Sequence, residues 1–165
     1  MFKPERTMQQ VCSPACGIRL ANERESREWT RQAKERIKTR QDWLREAQSA
    51  FNAWIRERDH YLPCRSCGAT HAGQWDASHY RSVGACPALR FEPDNVHKAC
   101  SVCNQHHSGR IIEFRIALVK LLGQDRVEWL EQDHQPLKLA IEEIKEIKAR
   151  YTKLARELKK QRGDL

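Results

Sequence analysis

A chain of 165 residues with a formal net charge of +8 has the size of one domain with appendages, and its basic surface seeks polyanions. That charge alone does not separate nucleic acid from an anionic membrane surface. No apolar run is long enough to span a bilayer, and residues 1–6 lack the apolar core of a secretory signal, so a cytoplasmic setting with no membrane attachment is expected.

Residues 18–41 alternate charges of both signs around Trp29 and Ile37, which predicts a solvated helical arm. It reads either as a salt-bridged exposed helix or as a basic strut along a phosphate backbone. From Asp42, an expected N-cap, Leu44, Ala47, Phe51, Trp54 and Ile55 recur at helical spacing and predict an amphipathic helix ending near Asp59. Trp43 and Trp54 fit core positions better than base stacking. Residues 62–104 lack helical periodicity and are rich in Gly, Pro, Cys and His, so loops and short strands held by something other than a large core are expected.

Ile111, Ile112, Phe114, Ile116, Leu118, Val119, Leu121 and Leu122 then predict a well-buried helix stopped by Gly123. In the tail, Leu137, Ala140, Ile144, Ile147, Tyr151, Leu154 and Leu158 follow alternating steps of three and four, an a/d seam that needs a partner helix. The partner is the 18–41 segment, the 42–59 helix or the same segment of a second subunit, with packing inside one chain favoured. The chain thus divides into an arm with a partial zinc knuckle at 1–41, a core at 42–124 and a helical tail at 125–165.

Seven cysteines in a cytosolic chain favour metal binding over a disulfide framework, which needs an oxidising compartment. Cys64 and Cys67, and again Cys100 and Cys103, have the C-x2-C spacing that lets two thiolates of a tight knuckle reach one tetrahedral ion. Two such pairs make a closed structural Zn²⁺ site with no open position for water. Gly68 suits the positive-φ position such a knuckle needs. Cys86 is left over and reads as a small buried residue.

Between the pairs lie Trp75-Asp76-Ala77-Ser78-His79-Tyr80 and Asp94-Asn95-Val96-His97, and Asn104, His106 and His107 follow the second pair. This order resembles the HNH, or His-Me finger, nucleases. The resemblance implies an α+β, mostly helical fold: a zinc-stapled ββα-metal finger flanked by amphipathic helices. It makes His79 the general base and Asn95 the residue orienting the hairpin. Hydrolysis of a phosphodiester needs a base for water, positive charge on the phosphate and help for the leaving oxygen, which a neutral His and one divalent cation supply. Mg²⁺ or Mn²⁺ is the expected ion. Asp76 stands in for the ligand the family places just before the base, where this chain has Ser78; Asn104, His106 and His107 are the candidates on the third element. Arg81, Arg90, Lys98 and Arg110 are expected phosphate contacts.

A longer string is similar to one family in particular. Phe51 through Asp59, Leu62-Pro63-Cys64 to Cys67, Gly73-Gln74-Trp75, His79 through Ala85, Leu89-Arg90-Phe91 and Asp94 through Lys98 look like the NinG, or Rap, recombination proteins of lambdoid phages. That resemblance implies an endonuclease for branched DNA, D-loops and Holliday-type junctions, working in the host cytoplasm with strand-exchange recombination proteins. A homodimer is compatible with the a/d tail. The family pattern carries a cysteine pair ahead of the segment holding Cys12 and Cys16; this chain has none there, so those two thiols are half of a second zinc site, completed by other ligands such as His60, completed across a dimer, or simply reduced.

Overall fold

The computed structural model describes residues 10–70 and 73–163; residues 1–6, read above for a secretory signal, lie outside the described residues. The chain forms two units, Met1–Thr39 and Arg40–Leu165. In the first, Ser13 takes an extended backbone and its hydroxyl accepts the Cys16 N–H at 3.2 Å, Pro14 opens the first turn, and helix α1 (Pro14–Arg36) follows. No residue of α1 is buried, and Trp29 is 72% exposed. Its surface is laced by local pairs such as Glu28 with Arg31 at 2.6 Å. It stops at Arg36 rather than running to residue 41, because the Ile37 and Lys38 amides both turn back onto the Glu35 carbonyl.

In the second unit, α2 (Arg40–Arg58) buries Trp43, Leu44, Ala47, Phe51 and Ile55. It starts two residues before the expected N-cap, so Asp42 lies inside the first turn, where its charge complements the free amides. The buried face meets α5 (Ile141–Arg162), which closes the described chain. Lys145 lies over Trp43, Lys148 pairs with Glu46, Tyr151 packs edge-on against Phe51 at 4.7 Å and Arg162 pairs with Glu57. These contacts climb both helices in the same order, so α2 and α5 run parallel. The tail seam therefore finds its partner within the chain, through Ile144, Ile147, Tyr151 and Leu154. Leu137 is 59% exposed and precedes the helix, so the seam is shorter than its sequence spacing suggests.

Two parallel helices oblige residues 59–140 to bring the chain back to the starting end of α2. That return holds an antiparallel pair, β1 (Trp75–His79) and β2 (Val96–Cys100), with Trp75 opposite Cys100 and His79 opposite Val96. A lone two-stranded ribbon is marginal in water. Here the outer edge of β2 is closed by the end of α2. Asp59 accepts the Lys98 N–H at 3.0 Å, Arg58 donates to the Val96 carbonyl at 2.8 Å, and the Arg65 N–H reaches the Lys98 carbonyl at 3.0 Å. Every residue of β2 is buried as a result.

Beyond the sheet, α3 (Ile111–Leu122) ends at Gly123, whose φ of 86° is the turn-permitting conformation expected of it, and α4 (Gln124–Glu131) follows. Phe114 and Leu118 of α3 join Val127 and Leu130 of α4 and Tyr80, Cys86 and Leu89 in one core cluster. The expectation that α3 is well buried is corrected: Ile112, Ile116 and Leu121 are 71%, 52% and 50% exposed. The helix is apolar around most of its circumference, but its neighbours cover one side. The architecture is α+β and mostly helical, and the tail from residue 125 belongs to the same unit as the sheet. Among the described residues, no helix is long and apolar enough to cross a membrane.

Asp59 is a buried charge on which the fold relies, 3% accessible and held by Nε and Nη2 of Arg58 at 2.7 and 2.8 Å. Burial would raise its carboxyl, but His97, Arg58 and the Lys98 amide outweigh that and hold it well below the usual carboxylate range. Asp59→Ala, which leaves a partly buried guanidinium and an edge amide without their acceptor, is expected to cost about 2–4 kcal/mol at pH 7. A carboxyl depressed on folding contributes fully above its unfolded value near pH 4 and progressively less as pH falls below it. Urea titrations of the two proteins at pH 7 and at pH 3 test this; a gap under 1 kcal/mol at pH 7, or one that widens in acid, contradicts it.

Candidate functional site

The two cysteine pairs are carried to one point by different devices. Cys64 and Cys67 sit in a closed loop after α2, in which the Cys64 N–H bonds the Ala69 carbonyl, the Gly68 N–H bonds the Cys64 carbonyl, and Gly68 has φ +73° as expected. Cys100 ends β2, and Cys103 lies in the π-helical turn Val102–His106 that follows. All four sulfurs lie within 4.8 Å of one another, and Cys67 Sγ is 3.9 Å from Cys100 Sγ. A tetrahedral Zn–S₄ site has S···S edges of about 3.8 Å. Burial would push the Cys64 thiol up, but amides of Cys100, Cys67 and Ser66 bring it down to about 7, whereas burial raises Cys67 and Cys103. Ionising several of these sulfurs side by side needs a cation. The four thiols could hold a metal ion such as zinc.

Strand alternation divides the candidate catalytic groups between two faces of β1. Asp76 and Ser78 face the chain after Cys103, and Ala77 packs in the cluster with Phe51 and Ile55 of α2. The Asp76 carboxylate accepts Asn104 Nδ2 at 3.1 Å, Gln105 Nε2 at 2.9 Å and Gln74 Nε2 at 3.2 Å. Burial opposes its ionisation, but these donors prevail and hold the carboxyl below its ordinary value. On the other side, His79 Nε2 lies 3.1 Å from the Arg90 carbonyl. A carbonyl only accepts, so Nε2 carries the proton and Nδ1 keeps its lone pair. Burial, helped by the charge of Arg90 and opposed by this hydrogen bond, lowers the imidazole below its usual value.

Asn95 is fully buried and clamps the strand connection. Its Oδ1 accepts the Arg81 N–H at 2.8 Å, and its Nδ2 donates to the carbonyls of Arg81 at 3.0 Å and Leu89 at 3.1 Å. It therefore fixes the segment bearing Arg90 relative to His79. The turn after β2 brings Asn104 to Asp76 and leaves His106 and His107 exposed. It is a π-helical turn, Val102–His106, not a regular α-helix. Ser108, Gly109 and Arg110 then take positive φ in succession, held by Gly109 N–H on the Cys103 carbonyl and by Ser66 Oγ on the Gly109 carbonyl at 2.7 Å.

Of the four cations expected at phosphate, Arg90 borders an open groove beside α2. Arg81 donates to the Glu131 carbonyl at 2.6 Å, Arg110 stands 3.9 Å from Glu113, and Lys98 is 5% exposed, with its ammonium on the His60 carbonyl and over Trp75. Two contributors are absent from the sequence reading. Gln105 has no acid–base or metal-ligand chemistry to draw attention, and the Arg58-Asp59 pair looks in sequence like an ordinary charged helix end. Within its own unit, Cys12 Sγ is 3.4 Å from Cys16 Sγ, and the Cys16 thiol is lowered by its hydrogen bonds with Ser13 and Cys12.

A family model described as Bacteriophage Lambda NinG protein matches residues 1–161. The chain belongs to the NinG family. It is 41% identical to protein ninG of Escherichia phage lambda, over 99% of this chain and 90% of that protein. Protein ninG of Salmonella phage P22 is 40% identical over 99% of this chain and 91% of its own length, and that of Escherichia phage 933W is 39% identical over 99% and 92%. No solved structure matches. The family expected from the strings around the cysteine pairs is thereby established.

If the sulfurs share one ion, the purified protein carries one zinc per chain by elemental analysis, with sulfur-only ligation in its X-ray absorption spectrum. Cys103→Ser should lose that zinc in mild chelator and melt at a lower temperature. Zinc-free protein, or two ions bound by separate pairs, contradicts the cluster.

Proposed function

We propose that this chain is a metal-dependent endonuclease of the HNH, or His-Me finger, class that cuts branched DNA such as D-loops and Holliday-type junctions in the host cytoplasm, alongside strand-exchange recombination proteins. The observation that carries the nuclease reading is the imidazole of His79, pinned through Nε2 to the Arg90 carbonyl so that Nδ1 is left as a base. Branched DNA as the substrate is what the resemblance to the NinG recombination proteins implies, and the net charge of +8 fits a polyanion.

His79 Nδ1 takes the proton of a water whose oxygen attacks phosphorus, while the P–O bond to the leaving oxygen breaks. Asn95 keeps the Arg90 carbonyl and His79 in register through this step. Asp76, ionised and paired with the amide of Asn104, provides hard oxygen donors of the kind that hold Mg²⁺ or Mn²⁺ together with water and phosphate. Such an ion, when bound, would supply positive charge to the scissile phosphate and the leaving oxygen. Among the described residues of Arg40–Leu165, no third His, Asp or Glu joins Asp76 as a ligand set, which fits an ion that leans on its substrate.

His79→Ala should lower cleavage of a labelled junction by about 10²–10⁴ while DNA binding and zinc content persist. Cleavage that survives the change removes His79 as the base. Junction, D-loop, flap and linear duplex compared with Mg²⁺ and with Mn²⁺ test the substrate: equal cutting of duplex points to an enzyme of linear DNA, and no cutting of any points to a zinc module that binds without cleaving. Because the buried imidazole is lowered, kcat/KM should fall tenfold per pH unit only below a midpoint under pH 6.5 and stay level from there to pH 8. A midpoint above 7 is the contrary result.

A further inference from the structure

The polar side of α2 is absent from the site just described. Arg45, Gln48, Ser49, Asn52 and Arg56 follow the spacing of one helix face, about a quarter turn round from the buried Leu44, Phe51 and Ile55. Together with Arg90 they line a groove of about 350 Å³. Gln48 ties the walls together, accepting from Arg90 at 3.5 Å and donating to Asn52 at 2.8 Å. The charge here is only partly compensated. Arg45 has Asp42 at 3.1 Å, but among the described residues Arg40, Arg56 and Arg90 have no ion-pair partner. Burial and the like charge of Arg40 both weigh on the Arg90 guanidinium. Guanidiniums crowded beside a groove lined by amide and hydroxyl groups favour a polyanion that supplies the missing charge.

Resting on the nuclease reading, we propose that this groove is a DNA-backbone track: the strand flanking the cut lies along α2 with its phosphates on Arg45, Arg56 and Arg90. The track adjoins the candidate site at two points. Arg56 is close enough to Asp76 to favour its charge, and Arg90 supplies the carbonyl that holds His79. The eleven steps along the helix from Arg45 to Arg56 rise about 16 Å. That matches the axial rise of about five nucleotides of one B-form strand. Contacts of this kind position the duplex and read no base.

The test uses full-length protein carrying His79→Ala, which binds without cutting, and a fluorescent junction without added Mg²⁺. Affinity is followed from 50 to 200 mM salt. Arg45→Gln with Arg56→Gln should flatten the slope of log affinity against log salt by about 1.8, since each phosphate contact contributes about 0.9. Lys120→Gln with Lys153→Gln, two exposed cations off the groove, removes the same charge and should change the slope by less than about 0.5. An unchanged slope in the arginine pair, or equal changes in both pairs while DNA is still bound, overturns the track and leaves the nuclease reading standing. A parent protein that binds no DNA overturns both.

Discussion

The geometry of the ribbon and of the turn after it rests on the junction of two loops at four clustered sulfurs. Cys64 and Cys67 follow α2, and Cys100 and Cys103 end the ribbon and open the turn that carries Asn104. The apolar cluster at that point consists of the cysteines and Ala99, edged by Ala69 and Trp75. So few methyl and methylene groups bury little area, and at about 25 cal/mol per Å² they do not fix two loops against their conformational entropy. A cation such as zinc held by the sulfurs would replace the missing core, and the ribbon's rigidity would then be a matter of coordination chemistry more than of packing.

Around this staple, the ribbon is enclosed from three directions. The Arg58-Asp59 end of α2 satisfies the outer edge of β2, α2 itself covers the Ala77 side, and α3 with the turn before it covers the Ser78 side. The parallel pairing of α2 and α5 forms a platform on which the returning segment is laid. Because β1 alternates, His79 and Asp76 project to opposite faces of a single strand. The Asn95 clamp and the strained Ser108–Arg110 turn set what each side chain meets. Two structural investments, a fully buried amide and three consecutive positive-φ residues, thus flank the ribbon from opposite sides.

Much of this was legible in the sequence because it rests on periodic or chemically narrow signals. Paired cysteines at x2 spacing, helical recurrence from Leu44 to Ile55 and from Ile144 to Leu154, and Gly68 and Gly123 at turns each have one dominant physical reading. Features set by tertiary context were not legible. Nothing in the spacing of the tail says whether its partner runs parallel or antiparallel. The apolar run of α3 does not reveal that neighbours cover one side only. A short π-turn is indistinguishable in sequence from the start of a helix, so the choice among Asn104, His106 and His107 at Asp76 was open until the backbone path was known. The groove on α2 was hidden for a related reason: its arginines look like ordinary solvated charges until Arg90, far along the chain, is folded against them.

Backbone hydrogen exchange of the ribbon, followed with and without removal of bound metal, tests the central claim most directly. If the sulfurs and their ion hold the strands, the amides of Lys98 and Cys100 lose protection on chelation while those in the middle of α2 and α5 stay protected. Ribbon amides that exchange equally slowly in metal-free protein would show that packing alone holds the site, and the dependence described here would not exist.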